Sequence, residues 1–172
     1  CVSEAMVIAP PDLIIVDEVL QDAPAYRAQC LAQRFGDVTF GPVTFHGLAS
    51  VPDDSLMTWI GQRYPWFAPR LTFLRQSPIG QVEPNYIHDD RDMGRWTAIF
   101  YLTARPAEGD GTTFWRCRDG GWHSHAQEPA ERAEEIADWA DETRWQPIET
   151  IKAKLNRIAI FPAGAYHSLA IP

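Results

Sequence analysis

The stretch Arg157-Ile158-Ala159-Ile160-Phe161-Pro162, followed by Gly164 and then by His167, decides the fold. A short apolar run with β-branched and aromatic residues, closed by proline and glycine, reads as a buried strand running into a turn. A histidine just beyond such a strand can face back into the interior of a barrel. Working outward, a period of two recurs through the second half of the chain, as half-buried strands require. Residues 167–171 fit one more strand, and Ile151 belongs to another before the run. Upstream, Leu71, Phe73 and Arg75 form a candidate strand, Pro78-Ile79-Gly80 a turn, residues 82–88 a second strand and residues 97–103 a third. Gly109-Asp110-Gly111 marks a turn before a strand at residues 112–116. Residues 128–145, charged and alanine-rich, fit an inserted helix, exposed as a solvated face or lying as a lid.

The first half reads differently. Asp12-Leu13-Ile14-Ile15-Val16 fits a short buried strand, and residues 24–35 a helix with Pro24 in its first turn and Gly36 at its end. Residues 38–46 read as strand. Pro52-Asp53-Asp54-Ser55 opens a second helix, which carries Leu56, Trp59 and Ile60 on one face and stops before Pro65. Two helices followed by many short strands predict an α+β protein, a single domain over residues 1–172. Residues 1–77 would be N-terminal support, and residues 78–172 an antiparallel sandwich or barrel.

Composition excludes several classes. Of 172 residues, 45% are hydrophobic and 22% charged, a globular balance rather than a disordered or fibrous one. Seven tryptophans supply bulk for a core. Fifteen Lys+Arg against 23 Asp+Glu give a formal charge of −8, which repels a phosphate backbone, so no nucleic-acid partner is expected. No apolar run approaches the roughly 20 residues of a membrane helix. Cys1, Cys30 and Cys117 are odd in number and widely spaced, which argues against a disulfide framework. With no leader pattern, cytoplasm is the expected compartment. The initial Cys1 reads as trimming or a remnant sooner than as a lipidated terminus.

Chemistry concentrates in Asn85-Tyr86-Ile87-His88-Asp89-Asp90. On a strand, His88 and Asp90 share a face and Asp89 points opposite. An imidazole and a carboxylate so placed can bind one divalent metal if a third ligand arrives from elsewhere. Two histidines and one carboxylate form the facial set of non-haem Fe(II) oxygenases. The spacing alone reads sooner as a solvated polar turn. His167 is the best third candidate, while His46, His123 and His125 lie in less favourable surroundings. Cys117 with His123 and His125 fits no common zinc module.

Four motifs in order carry a family resemblance: Pro78-Ile79-Gly80-Gln81 before His88-Asp89-Asp90, Trp96-Thr97-Ala98-Ile99-Phe100-Tyr101-Leu102, Gly109-Asp110-Gly111-Thr112-Thr113-Phe114, and the strand 157–162 leading to Tyr166-His167-Ser168. From Pro78 onward the chain resembles 2-oxoglutarate/Fe(II)-dependent oxygenases, especially the prolyl-4-hydroxylase-like group, in an uncharacterised bacterial branch. The resemblance implies a double-stranded β-helix, the jelly-roll or cupin-like barrel, with N-terminal supporting helices. It implies His88, Asp90 and His167 as ligands of Fe(II) and as the catalytic set, with 2-oxoglutarate and O2 as cosubstrates. It further implies hydroxylation of an unactivated C–H bond in a peptide, a protein side chain or a small molecule. Oligomeric state is not legible.

One departure stands out. Members of the group carry an Arg or Lys roughly ten residues after the distal histidine, where it grips the far carboxylate of 2-oxoglutarate. Here the sequence ends at Pro172, and a truncated last strand is the expectation. Arg157 and Arg95 are the substitute anchors, and Tyr86, Tyr101 and Thr112 offer hydroxyls to the cosubstrate pocket. The missing cation leaves two other readings: a non-catalytic jelly-roll binding domain, and a cupin-like metal enzyme that does not use 2-oxoglutarate.

Overall fold

The computed structural model describes residues 12–40, 43–78, 87–118, 121 and 141–170. In chain order these form β1 (Ile14–Asp17), α1 (Ala23–Leu31), β2 (Gly36–Phe40), β3 (Val43–Ala49), α2 (Ser55–Arg63), β4 (Leu74–Arg75), β5 (Trp96–Tyr101), β6 (Gly111–Cys117), β7 (Trp145–Lys152), β8 (Arg157–Pro162) and β9 (His167–Ala170). The protein is α+β, with three antiparallel three-stranded sheets in the orders β1-β8-β5, β7-β6-β9 and β2-β3-β4. No closed barrel occurs among the described residues.

Strand β8 explains why its sequence is apolar on every side. Ile158, Ala159, Ile160 and Phe161 are all fully buried. Ile158 and Ile160 pack with Tyr26 and Cys30 of α1 and Leu56 and Ile60 of α2. Ala159 and Phe161 pack with Tyr101 of β5, Phe114 of β6 and Ile151 of β7. The period of two therefore feeds two cores, with helices over one face and the second sheet over the other. An antiparallel strand covered on both faces loses its usual polar alternation. Burial of each large side chain there contributes about 1.5–3 kcal/mol.

The N-terminal strand is fastened to β8 by side chains as well as by its ladder. Arg157 donates from Nε to one Asp17 carboxylate oxygen (2.6 Å) and from a terminal nitrogen to the other (3.0 Å). Lys154 adds an ion pair to the same carboxylate at 2.7 Å. Asn156 then holds Leu20 at both ends: its Oδ1 accepts from the Leu20 amide and its Nδ2 donates to the Leu20 carbonyl, each at 2.8 Å.

Several sequence expectations need correction. The first strand is Ile14–Asp17, and it is half-buried with Ile15 exposed, because it lies at a sheet edge. Helix α1 starts where Asp22 accepts from the Ala25 amide at 3.0 Å, but it ends at Leu31, not near residue 35. Its buried residues are Ala23, Tyr26 and Cys30, and none of residues 32–35 is buried to sustain a further turn. Gly36 consequently opens β2. Residues 38–46 are not one strand but parts of a hairpin, in which Phe40 pairs with Val43. The Gly41-Pro42 dipeptide between them is a turn signal that the single-strand reading passed over. The strand expected around Leu71 and Phe73 shrinks to Leu74–Arg75, paired to Ala49 and Leu48, and Leu71 and Phe73 are exposed. Of the expected strand 82–88, Ile87 and His88 are described; the rest, and most of the expected inserted helix, lie outside the described residues. Residues 142–144 form a single 3-10 turn leading directly into β7. No helix of the described residues is long and apolar enough to cross a membrane.

Candidate metal centre

His167 opens β9, where it pairs on one side with Phe114 of β6 and on the other with His88. The amide of His88 donates to the His167 carbonyl at 3.0 Å and the amide of His167 donates back at 2.8 Å. Side chains of directly opposed residues in an antiparallel pair leave the sheet on the same face. The neighbours confirm the alternation: Ile87 and Tyr166 pack with Trp145 in a separate cluster. His88 and His167 instead stand side by side, with ring centroids 4.6 Å apart.

Asp90 reaches the same place by a different route. Its amide donates to Ala163 in the β8–β9 connection, and its carbonyl accepts from Met93, both at 2.8 Å. Thr97 of β5 donates its hydroxyl to Asp90 Oδ2 at 2.8 Å. The carboxylate is thus held between the two sheets. Asp90 Oδ1 lies 3.9 Å from His88 Nε2, and Oδ2 lies 3.4 Å from His167 Nε2. Ligand bonds of about 2.1 Å set adjacent donors roughly 3 Å apart, so these separations suit one ion. The three donors all lie within 4.8 Å of one another and form a group that could hold a metal ion.

The histidine is oriented for ligation. His167 Nδ1 lies 2.9 Å from the Ala165 carbonyl, to which only a protonated nitrogen can donate. That leaves the Nε2 lone pair of the neutral ring facing Asp90 and His88, the arrangement that fixes a metal-binding tautomer. Phe161 and Phe114 flank the His167 ring at centroid distances of 5.0 and 6.5 Å. Burial opposes the Asp90 charge, but the His167 contact, the two imidazoles and the Thr97 hydroxyl outweigh it and hold the carboxyl well below its usual range. Burial likewise opposes a charged His167, and the Asp90 carboxylate outweighs it and raises the imidazole.

The other candidates fall into distinct places. Asp89 is buried, and its Oδ1 accepts from the Arg91 amide at 3.1 Å, outside the donor group. Tyr101 donates its hydroxyl to Thr112 at 2.7 Å, and the tyrosine lies in the core cluster that also holds Phe114 and Phe161. Burial pushes the Tyr101 phenol up to about 12, so it remains a donor at neutral pH. Arg95 is exposed, and its carbonyl accepts from Ala163 at 3.1 Å. The Arg157 guanidinium fork is filled by Asp17, and a further nitrogen donates to the Lys152 carbonyl. Tyr86, His123 and His125 lie outside the described residues. Sequence reasoning passes over Thr97, although a lone hydroxyl in Trp96-Thr97-Ala98-Ile99-Phe100 is the available signal.

Comparison of the chain with protein-family models, with curated proteins and with solved structures finds no match.

Proposed function

We propose that the chain is an Fe(II)- and 2-oxoglutarate-dependent oxygenase that hydroxylates an unactivated C–H bond. The observation that carries this reading is the convergence of His88 Nε2, His167 Nε2 and the Asp90 carboxylate. Two neutral imidazoles and one carboxylate suit ferrous iron and leave coordination positions open. The four ordered motifs of the prolyl-4-hydroxylase-like group support it, and the two facing sheets support a jelly-roll core. Iron held there would supply the oxidising chemistry, in which substrate C–H, 2-oxoglutarate and O2 become C–OH, succinate and CO2.

The residues of the chain have separate tasks in this reading. The Ala165 carbonyl keeps the His167 proton on Nδ1, away from the ligand nitrogen. Thr97 steadies Asp90, and the Phe114 and Phe161 rings keep water from the inner side of His167. With the Tyr101 proton given to Thr112, the Thr112 hydroxyl is the donor the pair would offer to a cosubstrate carboxylate. Its substrate is a peptide, a protein side chain or a small molecule.

A second reading draws on the engagement of Arg157 by Asp17, which withdraws one candidate anchor for 2-oxoglutarate. It is a cupin-like metal enzyme that binds iron without that cosubstrate. Anaerobic titration with Fe(II) and then 2-oxoglutarate separates the two. The oxygenase gives a weak visible charge-transfer band that His88→Ala and His167→Ala both abolish, and releases succinate in air. Iron binding without the band supports the cupin-like reading. No iron binding overturns both.

A further inference from the structure

Both main-chain groups of His167 are engaged by His88: its amide donates to the His88 carbonyl at 2.8 Å and its carbonyl accepts from the His88 amide at 3.0 Å. A residue of an antiparallel strand points its N–H and C=O to one side. His167 therefore makes no ladder bond to Phe114, the β6 residue directly opposite it. Beside the histidine, β9 is tied to β6 through Tyr166 and Ser168. Trp115 bonds to both. Its amide donates to the Tyr166 carbonyl at 3.0 Å, and its indole Nε1–H donates to the Ser168 hydroxyl oxygen at 2.9 Å.

Trp115 reaches Ser168 where β6 departs from regular pairing. The β6–β7 register shifts between Phe114 and Trp115, beside Pro147, which has no amide to donate. Irregularities of this kind re-aim a side chain next to a site. Ser168 is fully buried and an indole N–H can only donate, so the bond satisfies both groups. The Trp115 ring packs with Ile87, Trp145 and Tyr166. Ile87 precedes His88 and Tyr166 precedes His167, so the indole backs both histidines from the opposite face of their strands.

We propose that Trp115 is a positioning residue of the metal centre: its two bonds clasp β9 on either side of His167 and set where the His167 Nε2 lone pair points. The inference rests on the metal reading of His88, Asp90 and His167. His167 Nε2 lies 3.4 Å from Asp90 Oδ2, and a ligand set works only when its atoms are held to within about 0.5 Å. The Ala165 carbonyl fixes the ring from the β8–β9 connection, which leaves slide and twist of β9 to be stopped from the β6 side. The Trp115 clasp supplies that stop. A phenylalanine in its place would keep a ring there and lose the bond to Ser168.

The test uses the full chain, stripped of metal and titrated anaerobically with Co(II), whose visible d–d bands report ligand geometry without cosubstrate or turnover. Trp115→Phe removes the donor and Ser168→Ala the acceptor. Each should raise the Co(II) Kd about tenfold or more and change the band pattern at saturation. The double variant should bind no more weakly than the weaker single one, because all three lose the same bond. Thr150→Val is the control: it removes the 2.8 Å bond between the Thr113 and Thr150 hydroxyls, which joins β6 to β7 and not to β9. Its Kd and bands should match the parent. Parent-like Kd and bands in Trp115→Phe and Ser168→Ala would overturn the clasp and leave the metal centre standing. A shift in Thr150→Val as large as theirs would also overturn it, since any lost bond in the sheet would then have the same effect. No uptake of Co(II) or Fe(II) by the parent would overturn the metal centre and the clasp together. If Ser168→Ala does not fold, Trp115→Phe, at a half-buried position, carries the test.

Discussion

His88 and His167 exchange both main-chain hydrogen bonds, at 3.0 and 2.8 Å, so the two imidazoles leave one sheet face from directly opposed positions. Their proximity does not depend on rotamer choice alone. Residues almost half the sequence apart are locked in register by their backbones, so a geometry that could hold a metal ion is built into the fold itself.

That preformation gives a prediction for the residue that steadies the third ligand. Thr97→Val keeps the side-chain shape and removes the 2.8 Å hydrogen bond to Asp90 Oδ2. Loss of such a supporting contact lowers metal affinity by about 10–100-fold. Fe(II) titration under anaerobic conditions should show that drop, while the metal-free protein still folds and loses only the roughly 1.5–3 kcal/mol of one hydrogen bond to a charged group. Thr97→Ser should recover most of the affinity. Equal iron affinity in Thr97→Val and the parent protein would remove Thr97 from the site.

How much of this was legible depends on distance along the chain. The 157–162 run announced a buried strand because both of its faces are covered, and that leaves a purely apolar signature in the sequence. The HxD spacing and the later histidine were visible as residue types. What the sequence could not show was which partners long-range contacts would assign. Arg157 and Asp17 are 140 residues apart, and nothing local in either marks the other as partner. Leu71 and Phe73 are exposed and pair with no strand among the described residues, so the period of two misled there.

The Asp17–Arg157 fork predicts a pH dependence of stability. The Arg157 hydrogen bonds, and then those of Lys154, hold the Asp17 carboxyl well below the usual carboxylate range. A depressed folded-state pKa contributes stability that is fully present above the unfolded value of about 3.9 and fades as pH falls below it. Urea denaturation should therefore show Asp17→Asn less stable than the parent at neutral pH. The difference should narrow as the pH drops under about 4. A gap that stays constant across that window would mean that the carboxylate charge contributes nothing.

Asn156 combines two roles that substitutions can separate. Its φ of +69° lies in the left-handed region, and its side chain clamps Leu20 with two hydrogen bonds of 2.8 Å. Asn156→Ala incurs the backbone penalty of about 1–2 kcal/mol and loses hydrogen bonds worth about 0.5–1.5 kcal/mol each. Asn156→Gly loses the hydrogen bonds alone. Chemical denaturation should order the three as Asn above Gly above Ala. If glycine matched asparagine, the clamp would be ornamental and the conformation would be the whole effect.

The tightest backbone constraint sits at the start of β6. Gly111 has a φ of +152°, and a Cβ there would collide with the Ile151 carbonyl oxygen and stand 3.0 Å from the Ala153 nitrogen. Gly111 is paired to Lys152 on one side and to Ala170 on the other, so neither neighbour can retreat without breaking a ladder. Gly111→Ala should lose more than about 2 kcal/mol of stability. The same strand carries Phe114 opposite His167, so any shift of β6 that relieves the collision disturbs the metal centre. Iron affinity should fall together with the denaturation midpoint. A melt equal to that of the parent would show that the β6–β7 pairing at Gly111 is looser than its geometry implies.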